Sequence, residues 1–262
     1  MTGKTLGWIT LGLLAVILLA CAFPGMLSGA DPNEINLTEK FSPPGREHPM
    51  GTDNLGRDLF ARVLYGGRVT LGSSLIIALG SVILAVLWAA ISAYTGGWWD
   101  EVMTRVVDLL LILPGLLFAL LLVSLLQPGM KGLVIALTLV RWPGYARILR
   151  GRVMSLLGRE YLTAARALGA RDLHIIRRHI LPNLLELALT FFGLSFAGAI
   201  LSISSLSFLG FGVQLPHPEW GAMVNAARPF LQTRPYLMIF PGLAIVVTIL
   251  LVNISLRLLE RR

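Results

Sequence analysis

The chain has 262 residues, 55% hydrophobic and 14% charged, with 22 Lys and Arg against 14 Asp and Glu for a net charge of +8. Counting Gly in place of Tyr raises the apolar share to roughly 63%, against about 45–50% in an ordinary globular domain, so a water-soluble fold is excluded and a bilayer must solvate most of the chain. A single cysteine excludes a disulfide framework and a cysteine-based metal site, and the basic surplus is a topology signal before it is a sign of nucleic acid.

A helix needs about 20 mostly apolar residues to cross the hydrocarbon core. Six such runs are present. The first extends from Leu6 to Leu27. Lys4 ahead of it and Leu18-Leu19-Ala20-Cys21 within it resemble a lipoprotein signal with Cys21 as the lipidated residue, but the apolar run continues past Cys21, longer than a signal requires, so a retained helix is expected. The long segment from Ser28 to Arg68 follows. In it Leu55, Leu59, Phe60, Val63 and Leu64 share one helical face, with Arg57, Asp58 and Arg62 elsewhere on the wheel, which predicts a surface helix at the outer membrane interface.

The second run spans Val69 to Tyr94, the third Val102 to Leu126, and the fourth Gly132 to about Leu149. Pro114 and Pro143 fall inside the third and fourth, where a membrane helix tolerates a kink. Asp108 lies near one end of the third run and Arg141 near the middle of the fourth. Two readings of Arg141 stand side by side: an ion pair with Asp108 or snorkelling along a kinked helix, and a pathway position that attracts a carboxylate-bearing substrate. From Arg141 to Pro182 the chain carries nine Arg against Glu160 and Asp172, so this segment must be cytoplasmic. Six spans then place both termini inside.

Within that segment Glu160 to Asn183 reads EYLTAARALGARDLHIIRRHILPN. The spacing predicts a short helix stopped by Gly169, a turn, and a second helix started by Asp172, with Pro182 separating the unit from the fifth span. That span runs from Leu184 to Phe208 and carries a small-residue stripe of Ser195, Gly198, Ser202 and Ser205, which suits helix packing or a polar pathway. The sixth runs from Tyr236 to Leu258. Between them, Trp220 and Tyr236 are expected to be interface anchors. His48, His174, His179 and His217 are too dispersed for a metal site.

The cytoplasmic segment resembles the "EAA" loop of the permease subunits of ATP-binding-cassette (ABC) importers: Glu-Ala-Ala, three residues, Gly, nine residues, Ile, one residue, Leu-Pro. Ala164-Ala165, Gly169 and Leu181-Pro182 keep that spacing, while Thr163 replaces Glu and His179 replaces Ile. These departures, with Glu160 and the RHILPN ending, resemble the C-type permeases of the peptide/nickel branch. HPMGTDNLGRDLFARVLYGGRVTLG from His48, containing Gly51, Thr52, Asp53, Gly56, Arg57 and Asp58, is similar to a second signature of that branch. SLSFLGFGVQLPHPEWGAMV from Ser205, containing Trp220 and Gly221, is similar to a third.

The resemblance implies an all-α integral membrane protein of the type I importer permease fold in the bacterial inner membrane. Residues 1–68 would form a transmembrane helix and an extracytoplasmic loop. Residues 69–262 would form a five-helix core with a coupling loop at about 151–182. It implies a heterodimer with a B-type permease, two ABC ATPases that bind ATP and Mg, and an extracytoplasmic solute-binding protein, moving peptides or nickel and metal chelates inward. The ATPase-coupling residues would be Glu160, Thr163, Ala164, Ala165, Gly169, His179, Leu181 and Pro182. No G-x-x-x-x-G-K-[ST] loop is present, so the chain does not itself hydrolyse ATP, is not an enzyme, and is expected to hold no cofactor. A secondary transporter would instead need an inverted repeat and midplane carboxylates, but Asp108 and Glu186 sit near span ends. A channel would need no arginine-rich docking loop.

Overall fold

The computed structural model describes residues 3–214 and 216–260, and of these the side chains at 3–6, 163, 164, 166, 173, 259 and 260 are outside the description. The described chain is helical, with one isolated antiparallel bridge between Thr52 and Asp58. Helix α1 (Gly3–Ala22) leads through the short α2 (Pro24–Leu27) into an irregular loop, and α3 (Leu59–Thr95) follows. Then come α4 (Gly97–Ile112), α5 (Gly115–Leu126), α6 (Met130–Leu157), α7 (Glu160–Ala167) and α8 (Asp172–Ile175). A π-helical turn (Ile176–Ile180) joins α8 to α9 (Leu181–Phe208), and α10 (Trp220–Ala227) and α11 (Tyr236–Glu260) complete the fold.

Of the six expected spans, four are single helices long and apolar enough to cross a bilayer, among the described residues: α3, α6, the π turn with α9, and α11. The third expected span is instead α4 and α5, bent by 94°. Proline is the cause. The residue before a proline is pushed out of the helical region, and Leu113 (ψ 131°) and Pro114 (ψ 118°) are both extended. Helix α1 is shorter and apolar and packs on α11, where a Cβ at Gly7 would lie 3.5–3.6 Å from Leu258, so the start of α1 and the end of α11 lie at the same end of the bundle.

The expected surface helix at residues 55–64 is not a separate element. Leu59–Thr95 is one helix of 37 residues, about 55 Å at 1.5 Å per residue. Asp58 caps it by accepting from the Ala61 amide at 2.7 Å. Pro182 likewise does not separate the cytoplasmic unit from the fifth span: it lies in the first turn of α9, where its missing N–H costs little, and the π turn carries the helix across it from Asp172 to Phe208. Pro143 stays inside α6, which continues to Leu157 and so carries Arg147, Arg150 and Arg152 on regular helix.

Helix α3 is central, packing on α6 and α9 through small buried residues that include Ser74, Ala78, Ser81, Ala85, Ala89 and Ala93. Such residues let backbones approach closely where lipid offers no hydrophobic contrast. At the arginine-rich end one apolar cluster joins Ala89, Val107, Leu149, Val153, Leu162, Ile175, Ile180 and Leu184. At the opposite end a second joins Leu59, Val63, Trp220, Met223, Leu237 and Ile245.

Candidate functional site

The first group of expected site residues forms a packed cap on the outer end of α3. Gly51 and Gly56 have φ of +78° and +73°, and a Cβ at Gly56 would fall 1.7 Å from the Asn36 carbonyl oxygen, so only glycine closes this turn. Thr52 is fully buried, with its hydroxyl donating to the Glu39 carbonyl and accepting from the Ser42 amide at 2.8 Å. Asp53 accepts from Arg57 Nε at 2.7 Å and from the amides of Leu55 and Arg57, while Arg62 Nε lies 3.6 Å away and Arg62 Nη1 donates to the Pro32 carbonyl at 2.7 Å. Arg57 and Arg62, which the helical wheel sets off the apolar face, are nevertheless buried, at 5% and 4% exposed. Their charge is met by Asp53 rather than by water.

His48 completes the cap. Its Nδ1 is 2.7 Å from Asp58 Oδ2 and its Nε2 3.2 Å from Glu39 Oε2, so an imidazolium satisfies both carboxylates. The Asp58 hydrogen bond, with Glu39 assisting and partial burial opposing, holds the His48 pKa above its ordinary value. Tyr236 ties the cap to α11 by donating its hydroxyl proton toward the Thr52 and Ser42 carbonyls, at 3.1 and 3.3 Å.

Trp220 is not the lipid-facing anchor expected of it: it is 1% exposed, and its Nε1 donates to the Val63 carbonyl at 2.8 Å. At Gly221 a Cβ would meet the Ser204 carbonyl oxygen at 2.4 Å, which sets α10 directly on α9. Sequence reasoning missed the residue that holds this corner. Glu219 is fully buried and caps α10, with Oε1 accepting from the Gly221 amide at 2.9 Å and Oε2 from Ala222 at 2.9 Å, and Thr70 Oγ1 3.0 Å from Oε1. An acid immediately ahead of an apolar helical run is the capping signal that pointed to it.

The second group lies inside the bundle, and the structure divides it. The half-buried Arg141 donates from Nη2 to Ser202 Oγ at 3.0 Å, and its guanidinium lies over Gly198, where a Cβ would come within 2.8 Å of both terminal nitrogens. Its Nε has no hydrogen-bond partner. The expected ion pair of Arg141 with Asp108 is absent. Asp108 pairs with Arg147, one and a half turns further along α6, because α4 carries its carboxylates toward the arginine-rich end. Asp100, missed in the sequence, accepts from Arg150 Nε at 2.7 Å and from Ser92 Oγ at 2.5 Å. The serine stripe also splits: Ser195 pairs with Ser81 of α3 at 3.0 Å, Ser202 holds Arg141, and Ser205 donates back to the Leu201 carbonyl at 2.8 Å.

The third group surrounds α7. Gly169 has φ +84° and ends the helix, with the Ala170 amide donating to the Ala165 carbonyl at 3.0 Å. Leu162 is 1% exposed and anchors α7 in the cluster with Leu156, Ile175 and Ile180. Glu160, Tyr161 and Gly169 are exposed, and Leu168 is 88% exposed. His179 is half-buried, with its ring 5.8 Å from that of Tyr161 and 6.1 Å from that of His174. Ala165 and Leu181 are half-buried and Pro182 is exposed. The side chains of Thr163 and Ala164 lie outside the described residues.

A bundle of broken and continuous apolar helices with a short exposed helix between two of them defines a class of membrane transport subunit. Residues 69–262 match the family described as the binding-protein-dependent transport system inner membrane component, and the chain belongs to that family. It is an ABC importer permease of the inner membrane, a transport subunit and not an enzyme. It is 40% identical to a putative peptide transport system permease of Brucella suis over 249 residues, 94% of this chain and 83% of the relative. It is 35% identical to a dipeptide transport system permease of Alkalihalophilus pseudofirmus over 91% of this chain and 78% of the relative. A glutathione transport system permease of Pectobacterium atrosepticum is also 35% identical, over 94% and 82%. Among solved structures, the methionine ABC transporter MetNI in an inward-facing conformation shares the fold, with a TM-score of 0.61 at 14% identity over 76% of this chain and 95% of that one.

Proposed function

We propose that this chain forms half of a translocation pathway for di- or oligopeptides, paired with a B-type permease, supplied by an extracytoplasmic binding protein and driven by two cytosolic ATPases that bind ATP and Mg. The observation that carries the reading is the construction of α7. Leu162 fastens it into the arginine-rich end of the bundle, while Tyr161 and Leu168 stand exposed beside it. Tyr161 on α7 and Leu168 just past its last turn offer exposed apolar side chains to a docking partner. Only Gly158 and Arg159 separate α7 from α6. Displacement of α7 by closing ATPases therefore passes directly into α6 on one side and into the helix from Asp172 on the other, rocking the membrane helices. Inside, Arg141 is the group suited to a substrate carboxylate, since its Nη2 is fixed at Ser202 while Nη1 donates to no described residue; the unpartnered Nε is itself buried.

The peptide assignment draws on the named relatives of 35–40% identity. The test is ATP-dependent uptake by proteoliposomes holding both permeases and both ATPases, with binding protein added outside. Vanadate-sensitive dipeptide uptake is expected. Gly169→Val, which forces a branched side chain into φ +84°, should abolish uptake and stimulation of the ATPases while leaving the complex in the membrane. Uptake of nickel or its chelates without peptide uptake overturns the substrate. Full uptake by Gly169→Val overturns the coupling route.

A further inference from the structure

Arg68 has no role in the pathway, the cap or the coupling unit. It is exposed on α3, just ahead of the apolar run that starts at Val69, and no acceptor among the described residues pairs with it. Two hollows meet at this residue. Toward the bilayer, α1, α3, α9 and α11 leave a groove of about 780 Å³, walled by Leu14, Leu18, Leu75, Phe192 and Phe196. Toward the outer end lies a recess of about 750 Å³ lined by Ser28, Asp31, Asn33, Tyr65 and His217. Arg68 lines both.

The groove exists because two positions lack side chains. A Cβ at Gly72, which lines it, would meet nothing within 4 Å, so the space beside α3 is empty of protein. A Cβ at Gly193 would fall 2.2 Å from Leu256, so α9 and α11 close tightly behind it. Ordinary lipid-facing helix surface is convex and apolar throughout. This site is concave, and its apolar length leads to a cation and then to polar groups that include an acid, an order complementary to the chain, phosphate and ammonium of an aminophospholipid.

We infer that the groove and recess form a specific site for one outer-leaflet aminophospholipid, with a chain in the groove, the phosphate on Arg68 and the ammonium at Asp31. A guanidinium presents paired donors that match phosphate oxygens. Asp31 Oδ1 accepts from the Asn33 amide at 2.8 Å, which leaves the carboxylate's other oxygen for a cation. Unlike charges lining one recess select a zwitterionic headgroup over an anionic one. The lipid would fasten α1 to the bundle, since Leu14 and Leu18 of α1 form one wall. This inference rests on the membrane placement of the family and is independent of the substrate.

The experiment is native mass spectrometry of the assembled importer, exchanged into nanodiscs of equal phosphatidylethanolamine and phosphatidylglycerol and then released. One retained phosphatidylethanolamine per copy of this chain is expected. Arg68→Gln and Gly72→Phe should each lower its occupancy by about tenfold or more, one at the headgroup and one at the chain. Asp31→Asn should keep a lipid bound but equalise the two headgroups. Co-purification of the ATPases checks assembly, and Gly72→Leu replaces Gly72→Phe if the larger residue disperses the complex. Retention unchanged by both Arg68→Gln and the Gly72 variant overturns the site. Photo-crosslinking of the second permease by p-benzoylphenylalanine substituted for Gly72 also overturns it, by showing that protein fills the groove.

Discussion

Replacing Gly198 with alanine moves Arg141 without touching the rest of the bundle. The new Cβ would lie 2.8 Å from both terminal guanidinium nitrogens, against the 3.4 Å at which ordinary contacts begin, so the head group must lift by about 0.6 Å. The 3.0 Å bond to Ser202 Oγ then stretches to about 3.6 Å, beyond hydrogen-bond range. A hydrogen bond from a charged donor contributes about 1.5–3 kcal/mol, and Gly→Ala in a helix interior returns about 1 kcal/mol. Thermal stability should therefore change little. Any step that needs the guanidinium fixed loses about 10- to 100-fold, since 1.4 kcal/mol is a factor of ten. The assay is initial uptake of a dipeptide by reconstituted importer with ATP inside, beside Arg141→Ala and Ser202→Ala. Gly198→Ala and Arg141→Ala should both slow uptake at least tenfold, with basal ATP hydrolysis preserved. Uptake at the unmodified rate in both variants refutes a pathway role and leaves Arg141 a structural cation.

Further outcomes follow from the ion pairs and the cap. Asp100→Asn strips a partly buried Arg150 of its bidentate partner and should destabilise the detergent-solubilised protein by about 2–3 kcal/mol, below the roughly 3–5 kcal/mol of a fully buried pair because the Arg150 side chain is 28% exposed. Asp108→Asn, whose pair with Arg147 is about half exposed on both sides, should cost at most about 1 kcal/mol in the same thermal assay. Trp220→Phe removes the indole bond to the Val63 carbonyl, which keeps its helical partner, and trims one ring from a buried position, and should lower stability by about 1 kcal/mol or more. His48 has a raised pKa in the folded cap, so its stabilisation is complete below the unfolded value of about 6.5 and is lost as pH rises through the higher folded value. Limited proteolysis across residues 28–58 should accelerate as the pH rises above about 6.5, and His48→Gln should remove that dependence.

The apolar runs and the local punctuation were legible in the amino-acid order. Hydrophobic length marks α3, α6, α9 and α11, and Gly169 and Asp172 mark the end of α7 and the start of α8 as helix chemistry requires. What was not legible depended on contacts between distant segments. The period of Leu59, Val63 and Leu64 did identify a helix with a buried face, but α10 and the loop cover that face instead of lipid. The burial of Arg57 and Arg62 depends on an acid at Asp53 and a carbonyl at Pro32. Residue counting placed Asp108 near a span end and Arg141 near the middle of its own, but left their pairing open, whereas in the fold Asp108 meets Arg147 further along α6. Pro114 was read as a kink because the apolar composition is unbroken on both sides of it, and composition carries no backbone angle. Within the candidate site, the motif residues of the cap do meet one another, while the serines of α9 serve three different neighbours.

The uninterrupted course from the π turn through α9 has a mechanical consequence. Its 33 residues make a rod of about 50 Å, so a tilt of only about 6° sweeps the far end through about 5 Å, roughly one helical turn. A hinge at Pro182 would have dissipated that stroke near its origin. Because the rod is unhinged there, a modest push at the arginine-rich end arrives amplified at Ser204, where α10 rests on α9 through Gly221. Under the proposed coupling, closure at the outer end would thereby be geared to an input on the opposite side of the bilayer.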